Sequence, residues 1–400
     1  NNFNVTFTVT DGYQEITKRT VTLTSATDSK EYDGTALTNS NVTVTGDGFV
    51  SGEGATYDVT GTRTVPGSNP NTFTYTLNAG TDANDYTISK VEGTLTINER
   101  TTAYGLTIVA NSTTDTYDGT TKEAKGYIVK YNGETVGTNA NGTGDTTITI
   151  NVNGVDVTYT LSGVTTTNPA QINWTDGINN TINGDAVITD AAGNTVTGQF
   201  TVDKTNGKLI INRREITVSV EDKTVEYNGS EQYGNTAYTF ENVVAGQTAT
   251  ITYTPSSGTL VGDYDNGAYT ASTLKVMNGS EDVTDNYLLT TQTKGKLHII
   301  DRTNKYEITV VANSAEADYD GNMHSATGFE TLTFTIDGNV YTVEGLTTSN
   351  PKQVNAGEYP NTISGTAVVK DAKGNVVTNQ FSVSTTDGKL TINKAQLTIT

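Results

Sequence analysis

Leu106 to Gly119 reads Leu-Thr-Ile-Val-Ala-Asn-Ser-Thr-Thr-Asp-Thr-Tyr-Asp-Gly, and this stretch decides the fold because the chain carries it, altered, four times. A short alternating strand ends, and a Tyr-[Asp/Asn]-Gly triplet follows roughly eight to ten residues later. The other strands are Val21-Thr22-Leu23-Thr24, Ile216-Thr217-Val218-Ser219 and Ile308-Thr309-Val310-Val311. Their triplets are Tyr32-Asp33-Gly34, Tyr227-Asn228-Gly229 and Tyr319-Asp320-Gly321. Each repeat closes on a Gly-x-Leu-x-Ile strand, beginning at Gly93, Gly207, Gly295 and Gly388. Self-similarity at such a period is the signature of tandem modules and takes precedence over local propensity.

The spacing predicts four domains, at 20–100, 101–214, 215–302 and 303–395. Residues 1–19 read as the tail of a preceding repeat, since Asn2-Phe3 through Glu15-Ile16 resembles Gln380-Phe381 through Thr391-Ile392. Residues 396–400, with Leu397-Thr398-Ile399-Thr400, read as the first strand of a following one. The repeats alternate in type. Those at 101–214 and 303–395 share Asn168-Pro169 with Asn350-Pro351, and Asp190 to Asn194 with Asp371 to Asn375, so the unit of duplication is a pair. The 101–214 repeat carries an insertion at 127–147 with two Asn-Gly dipeptides, Asn132-Gly133 and Asn141-Gly142. Such dipeptides mark tight hairpins. The insertion is therefore expected to form an extra hairpin or long loop that the core does not need.

The fold class expected is all-β, with tandem Ig-like β-sandwich domains set end to end as an extended rod. Threonine, at 81 of 400 residues, suits the pleated surface, and 40 glycines supply turns. In Thr147-Ile148-Thr149-Ile150-Asn151-Val152 the apolar residues fall on one face. One dry face needs a second sheet to cover it. The junctions Asn98-Glu99-Arg100 and Ile211-Asn212-Arg213-Arg214 leave almost no linker, which favours a rod.

The Tyr-Asp-Gly opening, the segment Val354-Asn355-Ala356-Gly357-Glu358-Tyr359-Pro360-Asn361-Thr362-Ile363 and the Gly-Lys-Leu-Thr-Ile-Asn ending resemble YDG/MBG-type repeats. The resemblance implies Ig-like sandwiches strung in tandem in large bacterial surface proteins and adhesins. It covers essentially the whole chain and implies no catalytic residue. The middle segment matches only partly at Val65 to Phe73 and departs most at Val261-Gly262-Asp263-Tyr264.

A formal charge of −20 disfavours a nucleic-acid backbone or an anionic membrane surface as partner. No stretch approaches the roughly 20 apolar residues of a membrane helix. Without cysteine there are no disulfides or thiolate sites. His298 and His324 fall at variable positions that suit solvent-facing side chains. Asp82/Asp85, Asp263/Asp265 and Asp282/Asp285 are oxygen-rich pairs that suit solvated turns or, at most, weak Ca2+ binding, and no other cofactor is expected. Nucleotide binding is not expected either, as no Gly-rich loop opens a helix. Asn98, Asn212 and Asn393 end closing strands where some stalk domains carry Lys–Asn isopeptide bonds, but no opening strand places a lysine on its apolar face. Trp174, the single tryptophan, stands in the loop-like Asn173-Trp174-Thr175-Asp176-Gly177 and suits either core packing or recognition. Tyr131 and Asn132, at the first turn of the insertion, are the other candidate ligand contacts.

These readings converge on a monomeric, non-enzymatic stalk segment of a Gram-positive cell-surface adhesin, extracellular and anchored to the cell wall through other parts. The alternative is a module that binds a host ligand directly, a mucin glycan or an immunoglobulin in the manner of a superantigen.

Overall fold

A computed structural model describes residues 2–398; Asn1, Ile399 and Thr400 lie outside it. The chain is all-β, with strand making up 55% of it. The only helical elements among the described residues are the 3-10 turns Ala83–Asp85, Thr197–Gln199, Thr284–Asn286 and Thr378–Gln380. That strand share is well above the globular norm of roughly 20–25%. Two compact units are present. The first comprises residues 1–116 and 120–212, and the second comprises Tyr117–Gly119 together with residues 213–400. Residues 2–18 carry no strand and are exposed, Phe3, Phe7 and Ile16 among them.

The opening and closing strands pair in the same unusual way throughout. Arg19–Ser25 runs parallel to Tyr86–Val91, and the chain then crosses to a second sheet, where Asp28–Glu31 runs parallel to Thr94–Asn98. The same double parallel pairing joins Tyr104–Ala110 to Phe200–Thr205 and Thr113–Thr116 to Gly207–Asn212. It recurs as Arg214–Ser219 with Tyr287–Thr293 and Lys223–Glu226 with Leu297–Ile300. The last instance joins Tyr306–Val311 to Phe381–Thr386 and Ala315–Asp318 to Gly388–Asn393. Parallel neighbours cannot be joined by a hairpin. The strands between them, paired antiparallel, supply the crossover.

Where the opening strand changes sheet, its backbone presses on the closing strand. A Cβ on Gly93 would strike the carbonyls of Ser25 and Ala26, and one on Gly207 or Gly388 those of Ala110/Asn111 or Ala312/Asn313. The glycine that opens Gly-x-Leu-x-Ile is thus required by close approach, not by turn geometry. A buried amide satisfies the kinked backbone. Asn71 Nδ2 donates to the carbonyls of Ala26 and Asn39 at 3.0 and 2.9 Å, and Asn180 Nδ2 to those of Asn111 and Gly126. Asn361 Nδ2 donates to Asn313 O, while in the third instance Ser256 Oγ donates to Gly295 O. Buried polar groups are mostly paired in this way, although Asn71 Oδ1 itself is buried without a hydrogen-bond partner.

The cores follow the period-2 pattern. Thr146–Val152 buries Thr146, Ile148, Ile150 and Val152 and exposes the residues between. In the first unit one continuous core joins Tyr32, Leu95 and Ile97 to Tyr104, Leu106, Ile108, Tyr159 and Leu161. In the second unit Tyr227, Leu297 and Ile299 merge in the same way with Ile308, Val310, Tyr341 and Val343. Each unit therefore holds a short-type and a long-type stretch that share apolar interior.

The insertion at 127–147 corrects one expectation. Its first half is a hairpin, Tyr127–Tyr131 with Glu134–Asn139, turned at Asn132 (φ 50°) and Gly133 (φ 87°). It is not dispensable, however. Tyr127–Tyr131 pairs with the opening strand Tyr104–Ala110, and Tyr127 and Val129 are fully buried in the core. A buried network ties down its second half: Asn139 Nδ2 donates to Thr146 Oγ1 at 3.0 Å, and Thr146 shares a 2.8 Å bond with the Tyr127 hydroxyl. In the long-type stretch of the second unit the strand partner of Tyr306–Val311 is Phe381–Thr386, and the other edge carries an isolated bridge, Ala312 with Phe329, and a bond from Glu330 N to Val311 O, so the hairpin widens one sheet of a single stretch.

Candidate functional site

The three residues singled out as ligand contacts are not brought together as a built pocket. Tyr131 is half-buried, its ring 5.9 Å from that of Tyr104 in an edge-on contact. Asn132 is exposed at the hairpin tip. Trp174 is half-buried just ahead of the strand Thr175–Asn180.

The acidic and histidine candidates serve local structure. Asp82 Oδ1 accepts from Asn84 N and so caps the turn Ala83–Asp85. Asp282 accepts from the backbone and hydroxyl of Thr284, and those bonds hold its carboxyl below the usual range. His298 Nδ1 lies 2.6 Å from Asp263, and His324 Nε2 lies 2.9 Å from Asp320. Asp320 is lowered to about 2, chiefly by the Asn322 backbone bond and then by the Asn322 and His324 side chains. Among the described residues no group of three or more His, Asp or Glu side chains is placed to hold a metal ion. Among them, too, no helix is long and apolar enough to cross a membrane.

What recurs is a joint. In the first unit the turn Glu31-Tyr32-Asp33-Gly34 is seated against the following stretch. Tyr32 is fully buried, and its hydroxyl is 3.5 Å from that of Tyr159. Gly34 has φ +78°, and a Cβ there would lie 2.5 Å from the Tyr159 hydroxyl and 2.6 Å from Val157. Arg100 locks the contact. Its Nη1 donates to Tyr32 O and to the Tyr104 hydroxyl, both at 3.0 Å, and its guanidinium lies 3.9 Å from the Tyr104 ring centroid. Its backbone N–H donates to Gln199 Oε1 at 2.9 Å. Glu31 Oε1 accepts from the Thr101 N–H and hydroxyl, bonds that hold its carboxyl below the usual range.

The second unit repeats this residue for residue. Arg302 Nη1 donates to Tyr227 O at 3.1 Å and to the Tyr306 hydroxyl at 3.2 Å, and its guanidinium lies 4.0 Å from the Tyr306 centroid. Its N–H donates to Gln380 Oε1, and Glu226 accepts from the Thr303 N–H and hydroxyl. Tyr227 and Tyr341 take the places of Tyr32 and Tyr159, but their buried hydroxyls find no hydrogen-bond partner. Burial pushes the Tyr159 and Tyr227 phenols far above the usual tyrosine range, so both stay neutral at any physiological pH. Beside this second joint lie two open clefts, of about 320 and 450 Å³, the first lined by Leu260, Val261 and Val376 and the second by Ser230, Glu231 and Lys373.

The Tyr-[Asp/Asn]-Gly triplets alone do not announce the joint. The signal was present as Arg-Thr-x-x-Tyr at 100–104 and again at 302–306. Compared with known proteins, the chain matches no protein-family model and no curated protein.

Proposed function

We propose that this chain is a non-enzymatic structural spacer, a stalk segment of a bacterial cell-surface adhesin built from tandem Ig-like sandwiches of the YDG/MBG type. One observation carries the reading. Two of the four Tyr-[Asp/Asn]-Gly turns serve a joint, the same in both units, where an arginine, a tyrosine pair and a glutamate couple a short stretch to a long one. A protein whose repeated residues serve coupling is suited to holding length, and the shared cores make each pair a single stiff element. In this reading the segment sits outside the cell, needs no cofactor and projects a binding region carried elsewhere. Small-angle scattering tests it. A single compact body of this length has a radius of gyration of about 21 Å, and the stalk reading requires a value well above that with an elongated distance distribution.

A second reading is supported by the hairpin. Its tip, Asn132-Gly133, is exposed and belongs to one long-type stretch only. Exposed loops on a rigid scaffold are where binding is usually grafted. Direct binding of a host glycan or immunoglobulin through Tyr131, Asn132 and Trp174 would show as capture from host mucus or serum that Asn132→Ala and Trp174→Ala weaken.

A further inference from the structure

Each of the four stretches is entered and left through one parallel ladder. Arg19 pairs with Tyr86 where the first ladder starts and Glu31 with Asn98 where it ends, so the chain enters at one end of the ladder and leaves at the other. The same holds from Tyr104–Phe200 to Thr116–Asn212, from Arg214–Tyr287 to Glu226–Ile300, and from Tyr306–Phe381 to Asp318–Asn393. Every ladder has six paired positions in one sheet and four in the other. Tension between the two ends of a stretch pulls the opening strand back toward its N-terminus and the closing strand on toward its C-terminus. Because the two run parallel, with evenly spaced bonds between them, the pull lies along the strands and loads every rung together. Rungs sheared together must fail together, whereas the rungs of a peeled pair fail one at a time.

Each ladder also carries a catch against sliding. A Cβ on Gly93 would strike the carbonyls of Ser25 and Ala26. Tension moves the closing strand so that the residue before this glycine comes up to the same point. That residue is Glu92, and in the other stretches it is Asn206, Lys294 and Asp387. Each would bring a Cβ to a place that only glycine fits, for Gly207 and Gly388 are pressed in the same way and a Cβ on Gly295 would lie 2.6 Å from Glu221 O. In the first stretch the buried Ser25 hydroxyl pins the point further, accepting from Gly93 N at 2.9 Å and donating to Asn71 O at 2.6 Å. A slip of one residue would also turn the buried Leu95 and Ile97 to the outer face.

We propose that this chain bears tension, and that each stretch is a shear clamp: a double parallel ladder held against sliding by the backbone contact at its glycine. The clamp follows from pairing within a stretch. It therefore stands or falls separately from the stalk reading, which scattering tests.

Single-molecule pulling of the full chain tests it, with force applied through pairs of introduced cysteines, since the chain has none of its own. Lys18→Cys with Glu99→Cys loads the first stretch from end to end, in shear. Lys18→Cys with Ala83→Cys loads the same opening strand against the near end of the same closing strand, and so peels it. All three positions are exposed. Forced unfolding is governed by the unfolding rate, and only the first pair makes the whole ladder part of that barrier. At one loading rate the first pair should rupture in a single step, at a force several-fold higher than the second. Equal forces for the two pairs would overturn the proposal. So would an end-to-end load that lengthens the first stretch gradually, without a rupture.

Discussion

Arg100→Ala is the perturbation that most directly weighs the joint. The side chain makes two hydrogen bonds across the shared core boundary through one nitrogen, Nη1, a third to Thr102 O in solvent, and a cation–π contact with Tyr104. A hydrogen bond to a charged group contributes about 1.5–3 kcal/mol. Nη1 carries two N–H groups, one for each core-facing bond, but the energies of contacts made by one residue do not add in full, and the pair is counted as about one such bond. The cation–π contact adds about 0.5–1 kcal/mol, and the exposed Thr102 bond adds almost nothing. The side chain is only partly buried, so the lower part of the sum applies, about 2–3 kcal/mol. For a unit of some 200 residues each kcal/mol moves the midpoint by about 2–4 °C. Scanning calorimetry should therefore show the first unit's transition lowered by about 4–12 °C, still as one transition, with the second unit's unmoved. Arg302→Ala should do the reverse. The reasoning is refuted if Arg100→Ala shifts the midpoint by less than a degree or so, or if the first unit already melts in two separate steps.

Tyr127→Ala should destabilise the first unit by about 3–5 kcal/mol, as large-to-small changes of buried aromatics do, read as a drop in the denaturant midpoint. Deleting 127–147 outright should abolish folding of that unit, because an opening strand loses its neighbour. Acid should loosen the joint. The folded-state pKa of Glu31 is depressed by its bonds from Thr101, so the stability it contributes is complete above the ordinary glutamate range and is lost as pH falls through the depressed value. Glu31→Gln should therefore flatten the acid side of the first unit's melting profile and leave that of the second unsteepened and unchanged; an unaltered first-unit profile would count against the assignment.

The strands and their inward faces were legible in the sequence because each leaves a local, periodic trace. Val21/Leu23 and Leu95/Ile97 alternate, and alternation alone puts them inside. The parallel pairing of opening and closing strands was not legible, since nothing in Val21 to Thr24 records whether its partner runs up or down. The glycine of Gly-x-Leu-x-Ile was visible, but its cause lies in a backbone far away in sequence, the Ser25–Ala26 kink for Gly93. The insertion misled for a related reason. Comparing 127–147 with the shorter stretch after Ala326 shows that the fold can do without a hairpin, not that this core does, and Tyr127 and Val129 decide otherwise by their burial. The triplet itself carries the same lesson. Asp33-Gly34 reads correctly as a turn because φ +78° is a local requirement, yet the deeper constraint on Gly34 is the Tyr159 hydroxyl, which sequence separation hides. Tyr319 then separates the two requirements. It keeps the turn with Gly321 at φ +80° although nothing lies within 4 Å of a Cβ there, so contact with a neighbouring stretch is not needed for the conformation.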